Sequence, residues 1–148
     1  MNDSELEVLI FIVGDEYYAT DIAEVERILG YEETTRLPDS PEFVAGLINY
    51  EGGILPIISI AKRFNLNYNV SKNDSKIIVS KQNDGKFGII VDGVSEVKNV
   101  VRDNVENTPK VVSGLSKRYI KGLIKLDGKI IILLNLANIL TEEEKSLL

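Results

Sequence analysis

Gly46-Leu47-Ile48-Asn49-Tyr50-Glu51-Gly52-Gly53-Ile54-Leu55-Pro56-Ile57-Ile58-Ser59-Ile60-Ala61-Lys62-Arg63-Phe64 reappears, without a gap, as Gly122-Leu123-Ile124-Lys125-Leu126-Asp127-Gly128-Lys129-Ile130-Ile131-Ile132-Leu133-Leu134-Asn135-Leu136-Ala137-Asn138-Ile139-Leu140. Gly46 meets Gly122, Glu51 meets Asp127, Gly52 meets Gly128, Ile54 meets Ile130 and Ala61 meets Ala137. Each copy reads as a strand, an acidic-Gly turn, an apolar strand and a short helix whose alanine permits close packing. An acidic residue followed by glycine supplies the positive φ angles that a tight hairpin needs. Pro56 cannot donate to a ladder, so its strand is predicted at a sheet edge or beside a bulge.

An earlier stretch repeats as well: Tyr18-Ala19 through Ile28 against Phe87-Gly88 through Val97, with Ile22 facing Val91 and Val25 facing Val94. Repeats in the same order along one chain predict two related modules, with approximate halves 8–64 and 76–140, joined across the Asn- and Ser-rich stretch 65–75. Whether strands exchange between the halves is open at this level. Two Gly-turn hairpins can also look alike by chance, but here the match runs on into the following helix.

Other apolar runs, Val8 to Val13, Lys76 to Val79 and Phe87 to Val91, are short and rich in Ile and Val, and Asp84-Gly85 marks another turn. The chain is therefore predicted to be mainly β. Helical signals are brief: Ile60 to Phe64, Leu136 to Leu140, and a capping box of Thr141 with Glu144 that opens an acidic tail, 141–148.

The chain has 148 residues, 44% hydrophobic and 27% charged, which suits one folded unit with a real core. Its net charge of −6 repels phosphate backbones, so no nucleic-acid partner is expected; the cluster Lys117, Arg118 and Lys121 is small enough to be solvated surface. Cysteine and histidine are both absent, which removes disulfides, Cys/His zinc sites and every histidine-based acid–base scheme. No cofactor, metal or catalytic residue is expected. Asp15 and Glu16, adjacent in sequence, would point to opposite faces of a strand, the run Glu142 to Glu144 reads as solvated, and no phosphate-cradling glycine loop is present. The longest early apolar run is far short of the roughly 20 residues that cross a bilayer, so no membrane insertion and no signal peptide are expected. Asn69-Val70-Ser71 and Asn73-Asp74-Ser75 match a glycosylation pattern but read as polar loop.

Taken serially, these residues resemble the CheW family over nearly the whole chain. Phe11-Ile12-Val13-Gly14-Asp15-Glu16-Tyr17-Tyr18-Ala19 is similar to the family's first hairpin, with Ile22, Val25 and Ile28 following at the family's spacing. Thr35-Arg36-Leu37-Pro38, Pro41-Glu42-Phe43-Val44 and Gly46-Leu47-Ile48-Asn49 are similar to its central signature. Gly88-Ile89-Ile90-Val91-Asp92, Val94-Ser95-Glu96-Val97, Tyr119-Ile120-Lys121-Gly122-Leu123 and Ile131-Ile132-Leu133-Leu134-Asn135 continue the agreement. The resemblance implies a single CheW-like domain, 1–148, of two SH3-like five-stranded β-barrel subdomains with a third hydrophobic core between them. It also implies a cytoplasmic adaptor of a two-component chemotaxis pathway, a monomer when free, recruited to membrane receptor arrays. Barrel ends would bind the regulatory domain of the histidine kinase CheA, and the groove between barrels the helical cytoplasmic tip of chemoreceptors. A CheW-like scaffold in a non-chemotaxis receptor-kinase pathway is the alternative; a carboxylate enzyme or small-ligand β-barrel is the rival from another class.

Candidate receptor- or kinase-binding residues are Val25, Arg27, Ile28, Gly46, Asn49, Glu51, Gly52 and Val100. For Gly46 and Gly52 a purely structural role is the competing reading, since both recur at Gly122 and Gly128. Val25 and Ile28 could equally be core, Asn49 could orient the turn, and Val100, Val111 and Val112 could be isolated surface valines. Two departures from the family stand out. Asn49-Tyr50-Glu51-Gly52 stands where the family usually has Asn-Leu-Arg-Gly, and Ile58-Ser59-Ile60-Ala61 where it has Val-Asp-Leu-Arg. Arg27 also replaces a common glutamate. Arg27 and Glu51 therefore read either as a reversed ion pair or as two unrelated solvated charges.

Overall fold

The computed structural model describes residues 4–66, 74–82, 85–110 and 115–146, with side-chain surroundings from 117 in the last segment. Asn69, Asn73, Asp84, Val111, Val112 and most of the 65–75 connection lie outside the described residues.

Eleven strands are described: β1 (Glu5–Val13), β2 (Glu16–Asp21), β3 (Val25–Gly30), β4 (Val44–Tyr50), β5 (Gly53–Ser59), β6 (Lys76–Ser80), β7 (Gly88–Val91), β8 (Gly93–Val101), β9 (Val105–Glu106), β10 (Ile120–Leu126) and β11 (Lys129–Leu134). Short helices α1 (Ile60–Arg63), α2 (Leu115–Tyr119) and α3 (Glu142–Ser146) and three 3-10 turns join them. The strands form two sheets, ordered β8-β1-β2-β11-β10-β9 and β3-β6-β7-β5-β4. These are the two SH3-like barrels; the first carries a sixth strand of two residues beyond the predicted five. In the second barrel that place is held by a single bridge between Thr35 and Leu47.

The duplication is repeated in the hydrogen-bond register. In β4/β5 a bulge falls where Val44 faces Ile58 and Gly46 faces Ile57; in β10/β11 it falls where Ile120 faces Leu134 and Gly122 faces Leu133. Both turns have left-handed central residues, Glu51 (φ 50°) with Gly52 (φ 78°) and Asp127 (φ 52°) with Gly128 (φ 76°), the requirement of a two-residue hairpin turn. The other repeat carries its own bulge, at Glu26 of β3 against β6 and at Ser95 of β8 against β1.

The sheets do not follow the halves 8–64 and 76–140. Hairpin β1/β2 belongs by sequence to the first half, yet pairs with β8 and β11 of the second. Reciprocally, β6/β7 pairs with β3 and β5 of the first half. The two units have exchanged their leading hairpins, so each barrel needs both halves of the chain.

Period-two alternation then builds three cores. Leu6, Val8 and Ile10 of β1 join Ala19, Ile124, Ile131 and Leu133 inside the first barrel. Ile48, Leu55, Ile57, Ile77 and Val79 fill the second. The opposite faces of the same strands, Leu9, Phe11 and Val13 with Ile58, Ile78 and Leu134, meet between the barrels, joined by Phe87, Ile89 and Leu136. β1 is thus buried on both faces, which explains its unbroken apolar run.

Pro56 lies inside its sheet but beside the β4 bulge. Thr35 and Leu47 exchange two hydrogen bonds of 2.8 Å, so Leu47's main-chain groups face away from β5. The Leu47–Pro56 pair is therefore the non-hydrogen-bonded kind, and the proline nitrogen faces the side of β7, whose pairing begins only at Ile57 with Gly88. No ladder bond is lost.

Arg63 fastens the two units together at their chain ends. Its guanidinium binds Glu144 through two hydrogen bonds of 2.7 and 2.8 Å, its Nε donates to the Ile139 carbonyl at 3.1 Å, and it lies 4.5 Å from the Phe43 ring centroid. The predicted capping box is present: Glu144 N–H donates to Thr141 Oγ1 at 3.1 Å and Thr141 N–H to Glu144 Oε1 at 2.8 Å. Burial alone would push the Glu144 carboxyl up, but the Thr141 amide and the Arg63 guanidinium outweigh it and hold it below the usual carboxylate range.

Candidate docking surfaces

The exchange of hairpins leaves two kinds of surface free: the turn ends of the barrels and the outer edges of β3 and β8. At the end of the second barrel Ile54 follows the Glu51-Gly52 turn and is 70% exposed; its repeat partner Ile130, at the end of the first, follows Asp127-Gly128 and is 59% exposed. Side chains this apolar are costly to leave in water at one turn, let alone at both.

Each isoleucine has a lysine–tyrosine pair close by. At the second-sheet end Lys86 Nζ lies 5.8 Å from the Tyr50 ring centroid and 2.7 Å from Glu26, which also accepts the Tyr50 hydroxyl at 2.6 Å. Those two donors pull the Glu26 carboxyl below its ordinary range. Desolvation, followed by the Glu26 and Glu51 carboxylates, raises the Tyr50 hydroxyl. At the other end Lys129 Nζ sits 4.3 Å from the Tyr17 ring centroid and 3.0 Å from its hydroxyl. The repeat aligns Tyr17 with Lys86, so the pair recurs with tyrosine on β2 and lysine on β11 at one end, and with lysine just before β7 and tyrosine on β4 at the other. Beside Ile54, Leu37, Leu47, Tyr50, Pro56 and Lys86 border a groove of about 680 Å³.

The second surface follows the strand edges. Val25 of β3 and Val94 of β8, equivalent in the repeat, are half-buried against the core shared by the barrels. Farther along, the equivalent Ile28 and Val97 are exposed, 40% and 49%, and Val101 extends the apolar edge of β8.

The sequence-predicted residues divide between these surfaces and the interior. Val25 and Ile28 line the β3 edge, and Asn49, Glu51 and Gly52 cluster at the β4/β5 turn, Asn49 opposite Ile54. Val100 does not reach solvent: it faces Leu6 across β1/β8 and is a core residue of the first barrel, 7% exposed. Gly46 is buried too. A Cβ there would fall on the Thr35 carbonyl oxygen, and at Gly122 one would meet Glu106, so both glycines admit the neighbouring segment that completes each barrel. The proposed Arg27–Glu51 ion pair does not form among the described residues. Arg27 instead lies over Tyr50, 5.8 Å from the ring centroid, because the bulge at Glu26 re-aims this part of β3. Ala61, where the resemblance expects an arginine, is buried in the shared core.

Ile54, Ile130, Val97, Tyr50 and the Tyr17–Lys129 pair were not singled out from sequence. The available signal was the alignment of Ile54 with Ile130, each the first apolar residue past a turn, where the strand is paired within its hairpin but lies beyond the reach of its parallel neighbour.

Among the described residues no group of three acidic side chains is placed to hold a metal, and no helix is long and apolar enough to cross a membrane. Comparison with known proteins agrees with the architecture. Residues 7–144 match the family model of the CheW-like domain. The chemotaxis protein CheW of Klebsiella aerogenes is 33% identical over 141 residues, 95% of this chain and 85% of that protein. The chemotaxis protein CheW of Thermotoga maritima is 33% identical over 138 residues, 93% and 89% of the two chains. The crystal structure of the scaffolding protein TtCheW from Thermoanaerobacter tengcongensis superposes with a TM-score of 0.81 at 32% identity, covering 88% of each chain. With the doubled barrel, its shared core and a family match spanning nearly every described strand, this chain belongs to the CheW family of chemotaxis scaffold proteins.

Proposed function

We propose that this chain is a chemotaxis adaptor that holds the regulatory domain of the histidine kinase CheA at its barrel ends and the helical tip of a chemoreceptor along the β3 and β8 edges, in cytoplasmic arrays at the membrane. The observation that carries the reading is the exposure of apolar residues in two kinds of place, Ile54 and Ile130 at the turns and Ile28 and Val97 at the edges. A protein with two such surfaces can hold two partners at once, which is what coupling requires. Its own chemistry is nil: the tyrosines, lysines and carboxylates at the barrel ends are engaged with one another.

Arg27 and Glu51 carry charges opposite to those usual in the family, and both lie beside the Ile54 end. That favours a kinase or receptor whose facing surface has diverged in the same way, because unmatched charge at an interface rim selects partners more than it adds affinity. Titrating the chain with the kinase regulatory domain and with receptor cytoplasmic fragments, each separately, tests the assignment. Ile28→Ser should weaken the receptor fragment and spare the kinase domain; equal loss for both, or for neither, contradicts it.

A further inference from the structure

Glu24 is the point at which three parts of the molecule meet. It ends the 3-10 turn Ile22–Glu24, through which the chain passes from β2 in the first sheet to β3 in the second. Its main-chain carbonyl accepts the Lys81 N–H at 2.7 Å, just past β6 of the second sheet. Its side chain turns to the first. Oε2 accepts the Ala137 N–H at 3.2 Å, in the turn after β11, and Oε1 lies 3.8 Å from Lys121 Nζ on β10.

That last separation is an ion pair too long for a hydrogen bond, and Oε1 is buried with no hydrogen-bond partner among the described residues. A carboxylate oxygen withdrawn from water in this way favours the neutral acid unless a cation stays close. The charged groups that face it are Lys121, from β10, and Asp21, whose carboxylate caps the same 3-10 turn by accepting the Ala23 N–H at 3.0 Å. The turn after β11 contributes main-chain amides.

We propose that Glu24 is a proton-linked brace between the two barrels: ionised, it ties β10 and the turn after β11 to the crossover, and protonated, it releases Lys121 and lets the barrels shift. Burial raises its ionisation above the ordinary carboxylate range, against the Ala137 amide and Lys121, with Asp21 adding to the rise. The neutral acid keeps one oxygen able to accept the Ala137 amide but has no charge with which to hold a lysine that is 43% exposed. The angle at which the barrels present their ends then follows proton occupancy. This inference concerns the free chain and does not depend on which partners it binds.

The chain has no cysteine, so spin labels can be placed singly on each barrel, at Asn49→Cys on β4 and Lys125→Cys on β10, both exposed. The interlabel distance, read by pulsed electron resonance across the acidic range, should change in one step that coincides with the Glu24 carboxyl titration seen by carbon NMR. In Glu24→Gln the step should vanish. In Lys121→Met it should move to higher pH, because losing the cation makes the proton harder to remove. A distance constant through the titration, or an unchanged step in Glu24→Gln, overturns the proposal. Should Glu24→Gln fail to fold, an unmoved midpoint in the surface variant Lys121→Met overturns it equally.

Discussion

Replacing Ile54 or Ile130 by serine separates docking from folding. Both side chains are already mostly in water, 70% and 59% exposed, so the folded state loses little when they shrink. A surface change of this kind shifts stability by about 0.5 kcal/mol or less. Binding is another matter. Fully burying an isoleucine is worth about 1.5–3 kcal/mol, and the exposed fraction recovered on docking corresponds to about 1–2 kcal/mol per site. That is a loss of roughly 5- to 30-fold in affinity for the kinase regulatory domain. Titration calorimetry with that domain, and with receptor fragments as the internal control, measures it. Denaturant unfolding of the same samples confirms that the fold is intact. If Ile54→Ser and Ile130→Ser both bind the kinase domain as tightly as the parent, the barrel ends are not the docking sites.

Gly46→Ala must push aside the Thr35 carbonyl, at a φ of 142°, and break a bridge of two hydrogen bonds; it should cost about 2–4 kcal/mol in chemical denaturation. Gly52→Val meets open space and only the strain of a φ of 78°; it should cost about 1–3 kcal/mol, less than Gly46→Ala, and chiefly impair docking at the Ile54 end. Thr20 is fully buried on β2 with its hydroxyl unpartnered among the described residues, so Thr20→Val should raise stability by about 1 kcal/mol; a loss would show that the hydroxyl has a partner in solution. Glu144→Gln should destabilise by about 1–3 kcal/mol at neutral pH, since it weakens a bidentate pair with a nearly buried Arg63. Because the folded carboxyl lies below the ordinary 4.5, this contribution is whole above that pH and fades as pH falls through the lowered value. Melting curves of both proteins should therefore converge in acid, and a gap that widens there would refute the pairing.

The duplication was legible because each copy keeps its glycine, its turn and its helix alanine at fixed spacing, and the capping box of Thr141 and Glu144 because it is local. The exchange of hairpins was not, for a physical reason: β1/β2 and β6/β7 carry the same pattern, and periodicity says which face is apolar without saying which sheet it joins. Val100 was misplaced for a related reason, since the adjacent Val100 and Val101 point to opposite faces and which of them is buried shows only once Leu6 is known to stand opposite Val100. Ile54 hid inside the run Ile54–Ile58, where the deeper residues are covered on both faces and the first is not. Arg27 and Glu51 were neighbours in prospect, but the bulge at Glu26 gave Tyr50 to Arg27, a redirection that spacing in one strand does not encode.

With apolar residues exposed both at its turns and along its strand edges, one small chain has room for two partners at once. Sedimentation velocity on the chain mixed with kinase regulatory domain, with receptor fragment, and with both tests it most directly. Two independent footholds give a ternary boundary in which neither partner lowers the other's occupancy. Mutual displacement, with only binary complexes at every ratio, would contradict it.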